Sequence, residues 1–162
     1  MVYGAPKMTV WGIDLGVRSL YVARIDSGKL DLFCHNNLRI HKQPRYVELS
    51  MLRAWLDQFP PTGTWWAEEP PLAGSRNLQT FLHLAQVSGV VCCAVPATPV
   101  PVASWKLGTV GNGAASKELV ARWLYRCHPD YHRQCGGDQN LVDATCIALY
   151  GQAVDTGGSG PV

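Results

Sequence analysis

Thr9-Val-Trp-Gly-Ile-Asp-Leu-Gly16, Leu20-Tyr-Val-Ala-Arg-Ile-Asp26 and Leu30-Asp-Leu-Phe-Cys-His35 follow one another with only short breaks between them. The first is an apolar run ending in an acid and a glycine, which reads as a buried strand with a polar exit. The second is rich in β-branched and aromatic residues, and Ser27-Gly28 supplies a turn before the third. The three predict an antiparallel meander.

Downstream of the meander the period changes. Pro44 opens a pattern in which Tyr46, Leu49, Leu52, Leu56 and Phe59 recur every three or four residues, until Pro60-Pro61 stops it. Thr64-Trp-Trp-Ala67 is a short apolar strand running into Glu68-Glu69-Pro70-Pro71. Asn77 is an N-cap signal for a helix through about Val91. Residues 96–102 are too proline-rich for a helix and read as a fifth strand, and residues 108–113 as a glycine-rich loop. Residues 116–127 read as a helix with Leu119, Val120, Trp123 and Leu124 on one face, and Asp138 or Gln139 opens the last helix. The order β-β-β-α-β-α-β-α-α belongs to the α/β class, a five-stranded mixed sheet with its first three strands antiparallel and helices on both faces. Residues 1–154 read as a single domain, and residues 155–162, with Gly157-Gly-Ser-Gly160, as a disordered tail.

The chain has 162 residues, with 14 Lys and Arg against 12 Asp and Glu, and 47% are apolar. A domain of this size buries a core without disulfide staples. A net charge of +2 excludes a strongly basic, histone-like binder and leaves nucleic-acid recognition to clustered charge. No apolar run approaches 18 residues and Met1–Lys7 carries no hydrophobic signal core, so the expectation is a soluble, cytoplasmic protein without a membrane partner. The six cysteines read as free thiols, with adjacent Cys92 and Cys93 buried. Cys127, His128, His132 and Cys135 form the one cluster that admits zinc, although its spacing matches no familiar finger or ribbon. Trp11, Trp55 and Trp123 fall on apolar faces and are expected in the core.

The acids are few where strands end. Asp14 closes the first strand, Glu68 and Glu69 close the fourth, and Asp143 lies one turn into the last helix. A carboxylate in an apolar stretch is costly unless paired or metal-bound. If strands one and four are neighbours, their acids converge at one end of the sheet, where a helix could add Asp143. Three hard oxygen ligands suit Mg²⁺ or Mn²⁺. Two such ions about 4 Å apart can activate a water and stabilise the leaving oxygen of a phosphodiester. Singly, Asp14 also reads as a turn former, Glu68-Glu69 as a solvated strand exit and Asp143 as a first-turn acid favoured by the helix dipole. At this level a metal nuclease and a plain α/β binding domain both remain open.

Gly12-Ile-Asp-Leu-Gly16, Ala67-Glu-Glu-Pro70, Gln86-Val-Ser-Gly89, Trp105-Lys106, Thr109-Val-Gly-Asn-Gly-Ala-Ala-Ser-Lys117 and Asp143-Ala-Thr-Cys-Ile-Ala148 occur in that order. Together they resemble the RuvC Holliday-junction resolvases and their diverged small relatives in bacteriophages, from Thr9 to about Tyr150. The glycine-rich segment ending in Lys117 and the Asp-Ala-x-x-Ile-Ala motif are the specific parts. The resemblance implies a ribonuclease H-like fold and a metal-dependent, structure-selective DNA endonuclease. Such an enzyme resolves four-way junctions, with other branched DNA as further substrates, by paired nicks. It implies two Mg²⁺ ions per site, with Mn²⁺ as substitute, held by Asp14, Glu68 and Asp143, Glu69 being the alternative to Glu68 because one residue of slippage flips a strand side chain. Lys106 and Lys117 resemble the basic pair near the scissile phosphate, Lys117 neutralising transition-state charge.

It also implies a homodimer with two active sites, in the cytoplasm or nucleoid of a host cell if the chain is phage-encoded. The apolar helix from Asn77 to Val91 has residues enough for core and interface together.

Two departures stand out. The family's fourth ligand place, three residues before the last aspartate, holds Asn140, for which Asp138 is a substitute. The loop after the glutamate offers Leu72 instead of a stacking aromatic. Arg39, His41, Lys42 and Arg45 form one basic stretch for phosphate contacts, and Arg76, Lys106, Lys117, Arg122 and Arg126 another. Rival readings are an RNA or RNA–DNA hybrid nuclease of the same fold and a catalytically inactive junction binder. An actin-like ATPase is a weaker rival, since it needs two lobes around the nucleotide and 162 residues do not supply both.

Overall fold

The computed structural model describes residues 8–36, 38, 43–70 and 77–157. Five strands, β1 (Val10–Leu15), β2 (Ser19–Asp26), β3 (Lys29–Asn36), β4 (Thr64–Glu68) and β5 (Ala97–Val100), form one sheet in the order β3-β2-β1-β4-β5. β1 pairs antiparallel with β2 and β2 with β3, whereas β4 runs parallel to both β1 and β5. The meander and the mixed sheet are those the sequence predicts.

The helices are α1 (Arg45–Leu56), α2 (Leu78–Ala94), α3 (Val102–Val110), α4 (Lys117–Cys127), α5 (Pro129–Gln134) and α6 (Gln139–Asp155). Side-chain caps start three of them. Asn77 accepts from the amides of Gln79 and Thr80, Ser116 from Leu119, and Asp138 from Asn140 and Leu141. Strand alternation sorts the two sheet faces. Trp11, Ile13 and Leu15 of β1, with Trp65 and Ala67 of β4, pack into a core with Leu52 and Leu56 of α1 and Val87 and Val91 of α2. Trp11 and Trp65 stack with centroids 4.2 Å apart. The opposite face carries Gly12, Asp14, Trp66 and Glu68, and α6 lies against it.

The approach of α6 is very close. A Cβ built on Gly12 would run into the backbone carbonyl of Ala144 and amide nitrogen of Ala148, and one on Gly151 into the indole of Trp66. Small residues on both partners let the helix sit directly on β1.

Several expectations are corrected. Residues 102–108 begin a helix because Pro101 occupies its N-cap, and Gly108 lies inside it. There a side chain would meet the Tyr150 ring at 2.6 Å, so glycine serves packing and not a turn. The chain turns at Gly111, whose φ of 78° is left-handed. The fifth strand therefore ends at Val100. Pro129 starts α5, an element absent from the sequence reading.

Cys92 and Cys93 are exposed on α2, not buried. The zinc cluster does not assemble: Cys135 is buried with its thiol 3.6 Å from the Thr145 hydroxyl, while Cys127 is exposed and His128 stacks on Tyr131. Trp11 is in the core as expected, but Trp65 and Trp105 are its fully buried companions, and Trp55 and Trp123 are only partly covered. Asp155 belongs to α6 and accepts a 2.5 Å hydrogen bond from Thr64, so the ordered chain runs past the expected boundary. The tail from residue 158 lies outside the described residues. Among the described residues no helix is long and apolar enough to cross a membrane.

Replacing Gly12 by Ala is expected to cost about 3 kcal/mol, because the clash is with rigid backbone on both sides. Gly89→Ala, whose Cβ meets nothing within 4 Å, should stabilise α2 by about 0.5–1 kcal/mol. Urea unfolding of the two variants reads the opposite signs directly.

Candidate active site

Ile13 of β1 pairs with Ala67 of β4, so the next residue on each strand, Asp14 and Glu68, emerges side by side on the face toward α6. Asp143, one turn into α6, completes the group, because the seating of Ala144 and Ala148 on Gly12 fixes the helix's height on the sheet. All three carboxylates line one cavity of about 260 Å³. Lys106 of α3, Lys117 at the start of α4 and Asn140 line it too. Residues far apart in the sequence therefore share one pocket.

Two of the three carboxylates have a hydrogen-bond partner. The Trp105 indole donates to Glu68 Oε2 at 3.3 Å, and Gln139 Nε2 donates to Asp143 Oδ1 at 2.9 Å. Lys106 Nζ donates to the Ala115 carbonyl at 2.8 Å and lies 5.6 Å from the centre of the Trp105 ring. Trp105 and Gln139 were not anticipated as site residues. The Gln139–Asp143 pair has the i,i+4 spacing of a helical side-chain pair and was legible. Trp105 was not, since the helix that carries it was unforeseen.

Burial dominates the electrostatics. It pushes the Asp14 carboxyl well above the usual range, and the charges of Glu68 and Asp143 push it further while Lys117 opposes. Burial likewise raises Glu68 to about 7, against the Trp105 hydrogen bond and the two lysines. Asp143 is raised by burial as well, despite its bond from Gln139 and the two lysines. Three desolvated acids thus face two ammonium groups that do not fully offset them.

Such a donor set fits hard, oxygen-binding cations in kind. Among the described residues, however, no three His, Cys, Asp or Glu side chains are grouped tightly enough to hold a metal ion as they stand. The acids share walls of a pocket and do not meet at one point.

Glu69 is turned away from this pocket, as strand alternation requires. It lines a separate cavity with Phe81, Gly89 and Pro99, and its amide donates to the Val100 carbonyl. Asp138 is committed as the cap of α6 and does not line the pocket; its negative charge still raises Asp14 slightly. Arg45, an expected DNA-binding residue, is engaged within the fold. Its guanidinium is spent on Glu48 at 2.9 Å, the Leu38 carbonyl at 2.5 Å and the Gln86 amide at 3.1 Å. Arg122 and Arg126 are exposed on α4 and line a different cavity with Trp123. Arg39, His41, Lys42, Leu72 and Arg76 lie outside the described residues.

No family model matches the chain. The crossover junction endodeoxyribonuclease RuvC of Christiangramia forsetii is 30% identical over 127 residues, which cover 71% of this chain and 65% of that protein. The match thus spans slightly less than two thirds of its relative. The structure of Thermus thermophilus RuvC superimposes with a TM-score of 0.65 over 96% of this chain and 100% of its own, at 20% identity. In sequence this chain is similar to RuvC, and its fold is that of RuvC. The T. thermophilus RuvC structure in complex with a Holliday junction substrate superimposes equally well, with a TM-score of 0.67 at 21% identity. The RuvC fold is the ribonuclease H-like architecture found here, a five-stranded sheet with three antiparallel strands first.

Ionising Glu68 in the folded protein is penalised, so stability should fall as pH rises from the ordinary glutamate value of 4.5 through about 7. In chelator, Glu68→Gln is therefore expected to melt higher than the parent at pH 8, by at most about 3 kcal/mol at about 1.4 kcal/mol per pKa unit. The two proteins should converge near pH 4. Differential scanning calorimetry across that range checks the sign.

Proposed function

We propose that this chain is a metal-dependent, structure-selective DNA endonuclease that resolves four-way junctions. The observation carrying this reading is the shared pocket of Asp14, Glu68 and Asp143 with Lys106 and Lys117 on a RuvC fold. The homologue named as a crossover junction endodeoxyribonuclease supports the substrate class. Asp14, Glu68 and Asp143 are the residues that would hold divalent ions, Mg²⁺ or Mn²⁺, with the neutral oxygen of Asn140 beside them. Such ions, when bound, would supply Lewis-acid chemistry at the phosphodiester and the means to activate water at neutral pH.

The chain's own groups do the rest. Trp105 and Gln139 restrain the rotamers of Glu68 and Asp143, each holding one oxygen and leaving the other free. Lys117 sits at the first turn of α4, where ammonium and free backbone amides together favour a phosphoryl group gathering negative charge. Lys106 is held by the Ala115 carbonyl and positions a second cation on the same wall.

Pairing of nicks calls for two such sites, and α2 supports a homodimer. Leu78 and Leu82 on α2 are 69% and 49% exposed, an apolar face that a second copy of the chain would cover.

Labelled four-way, fork, flap, linear duplex and RNA–DNA hybrid substrates, with and without Mg²⁺ or Mn²⁺, test the reading. Cation-dependent cutting confined to branched DNA is the expected result; cutting of hybrids alone would move the chain to the RNA-directed branch. Asp14→Asn should lower cleavage by about three orders of magnitude and leave junction binding largely intact. Glu68→Gln should be similarly damaging, whereas Glu69→Gln should change the rate less than about threefold, since its side chain occupies another cavity.

A further inference from the structure

A second cavity adjoins the first. It shares Gly16 and Asn140 with the carboxylate pocket, has a volume of about 530 Å³, and is walled by Arg18, Ser19, Tyr21 and Thr80. Its position follows from the fold. Tyr21 is the β2 residue paired directly with Asp14, and directly opposed residues of an antiparallel pair share a face. Arg18 lies in the tight turn between β1 and β2, four residues beyond Asp14. Thr80 reaches in from the first turn of α2, and Asn140 from the first turn of α6.

The walls mix polar groups with Val17 and the Tyr21 ring, and Arg18 is the charged residue among the described lining. Its carbonyl accepts from the Leu38 amide at 2.9 Å, which anchors the backbone. Its exposed guanidinium makes no ion pair or hydrogen bond among the described residues. Arg18 thus lines the second cavity, and the two lysines line the first together with Asp14. A guanidinium grips a phosphodiester through a planar fork of N–H donors. The Ser19 and Thr80 hydroxyls and the Asn140 amide offer neutral hydrogen bonds to sugar and phosphate oxygens, and Tyr21 offers an aromatic face.

We propose that this second cavity seats the nucleotide adjoining the scissile phosphate, with Arg18 bound to that neighbouring phosphate. The inference rests on the endonuclease reading and adds the path of the cut strand: from the Lys106–Lys117 wall, across the carboxylates, into the Arg18 cavity. Because the Arg18 contacts are to backbone, they position the strand without selecting its sequence.

The test uses four-way junctions carrying a single methylphosphonate, which removes one phosphate charge, at each of the two positions on either side of the cut. Affinity is measured on the Asp14→Asn background and kcat/KM in the otherwise wild-type chain. Arg18→Ala should weaken junction binding about tenfold and flatten the slope of log affinity against log salt by about one. Arg18→Lys should keep the slope and recover part of the affinity. One methylphosphonate position should cost the parent about tenfold and cost Arg18→Ala nothing more, the signature of a direct pair. Circular dichroism melts check that the variant folds.

Arg18→Ala binding with unchanged affinity and slope, or the same further loss at every methylphosphonate position, overturns the cavity's role. A folded chain that binds no branched DNA at all overturns the endonuclease reading itself, and so the two failures are told apart.

Discussion

The contact of α6 with β1 at Gly12 is the constraint on which the rest of the molecule depends. A parallel or mixed sheet normally holds its covering helix at the distance set by interdigitated side chains. Here the backbone of Ala144 and Ala148 lies against a residue with no side chain at all. The helix is drawn down onto the strand, and Asp143, the residue before Ala144, comes to the level of Asp14. Gly151 repeats the device one strand over, against Trp66. Strand alternation then brings Glu68 to the same face, and the helix cap at Asp138 fixes where the helix begins. A larger residue at position 12 would separate the acids before it disturbed any of them directly.

That arrangement works against stability. Burial raises the pKa of all three acids, and the mutual repulsion of Asp14 and Glu68 with Asp143 adds to it. Folding alone would favour apolar side chains at these places. The surroundings instead hold the acids in position: an indole for Glu68, an amide for Asp143, and lysines lining the same cavity. Polar partners orient these acids without relieving the cost of ionising them together, a cost that a bound divalent cation would offset.

The sheet was legible because its signals are local. Alternation in the first three strands, the Ser27-Gly28 turn and the caps at Asn77 and Asp138 depend on near neighbours in sequence. Asp14, Glu68 and Asp143 stand out in the sequence because each interrupts an apolar run, and the strand's period is what puts Glu68 and Glu69 in different cavities. What escaped the sequence depends on distant contacts. Gly108 looks like a turn former until Tyr150 is seen to press on it, so α3, and with it Trp105's bond to Glu68, stayed hidden. Arg45 reads as a surface cation, and only the carbonyl of Leu38 and the side chains of Glu48 and Gln86 reveal it as a clamp inside the fold. Cys92 and Cys93 follow an apolar run, yet the run continues onto the outer face of a helix.

Asn140 gains its meaning from the same geometry. It lines both the carboxylate pocket and the Arg18 cavity, and its backbone amide is the group that Asp138 caps. Asp138 therefore cannot stand in for an acid at position 140 without surrendering the cap, worth about 1 kcal/mol to α6. A fourth carboxylate at that place would add a further charge to three acids already raised by desolvation and would line a cavity in which Arg18 is the cation among the described residues. The neutral amide spares both costs: it keeps an oxygen for a hard cation and leaves the Arg18 side electrically open to a phosphate. Replacement of a charge by an amide thus weakens one pocket's hold on cations while making its neighbour a better seat for an anion.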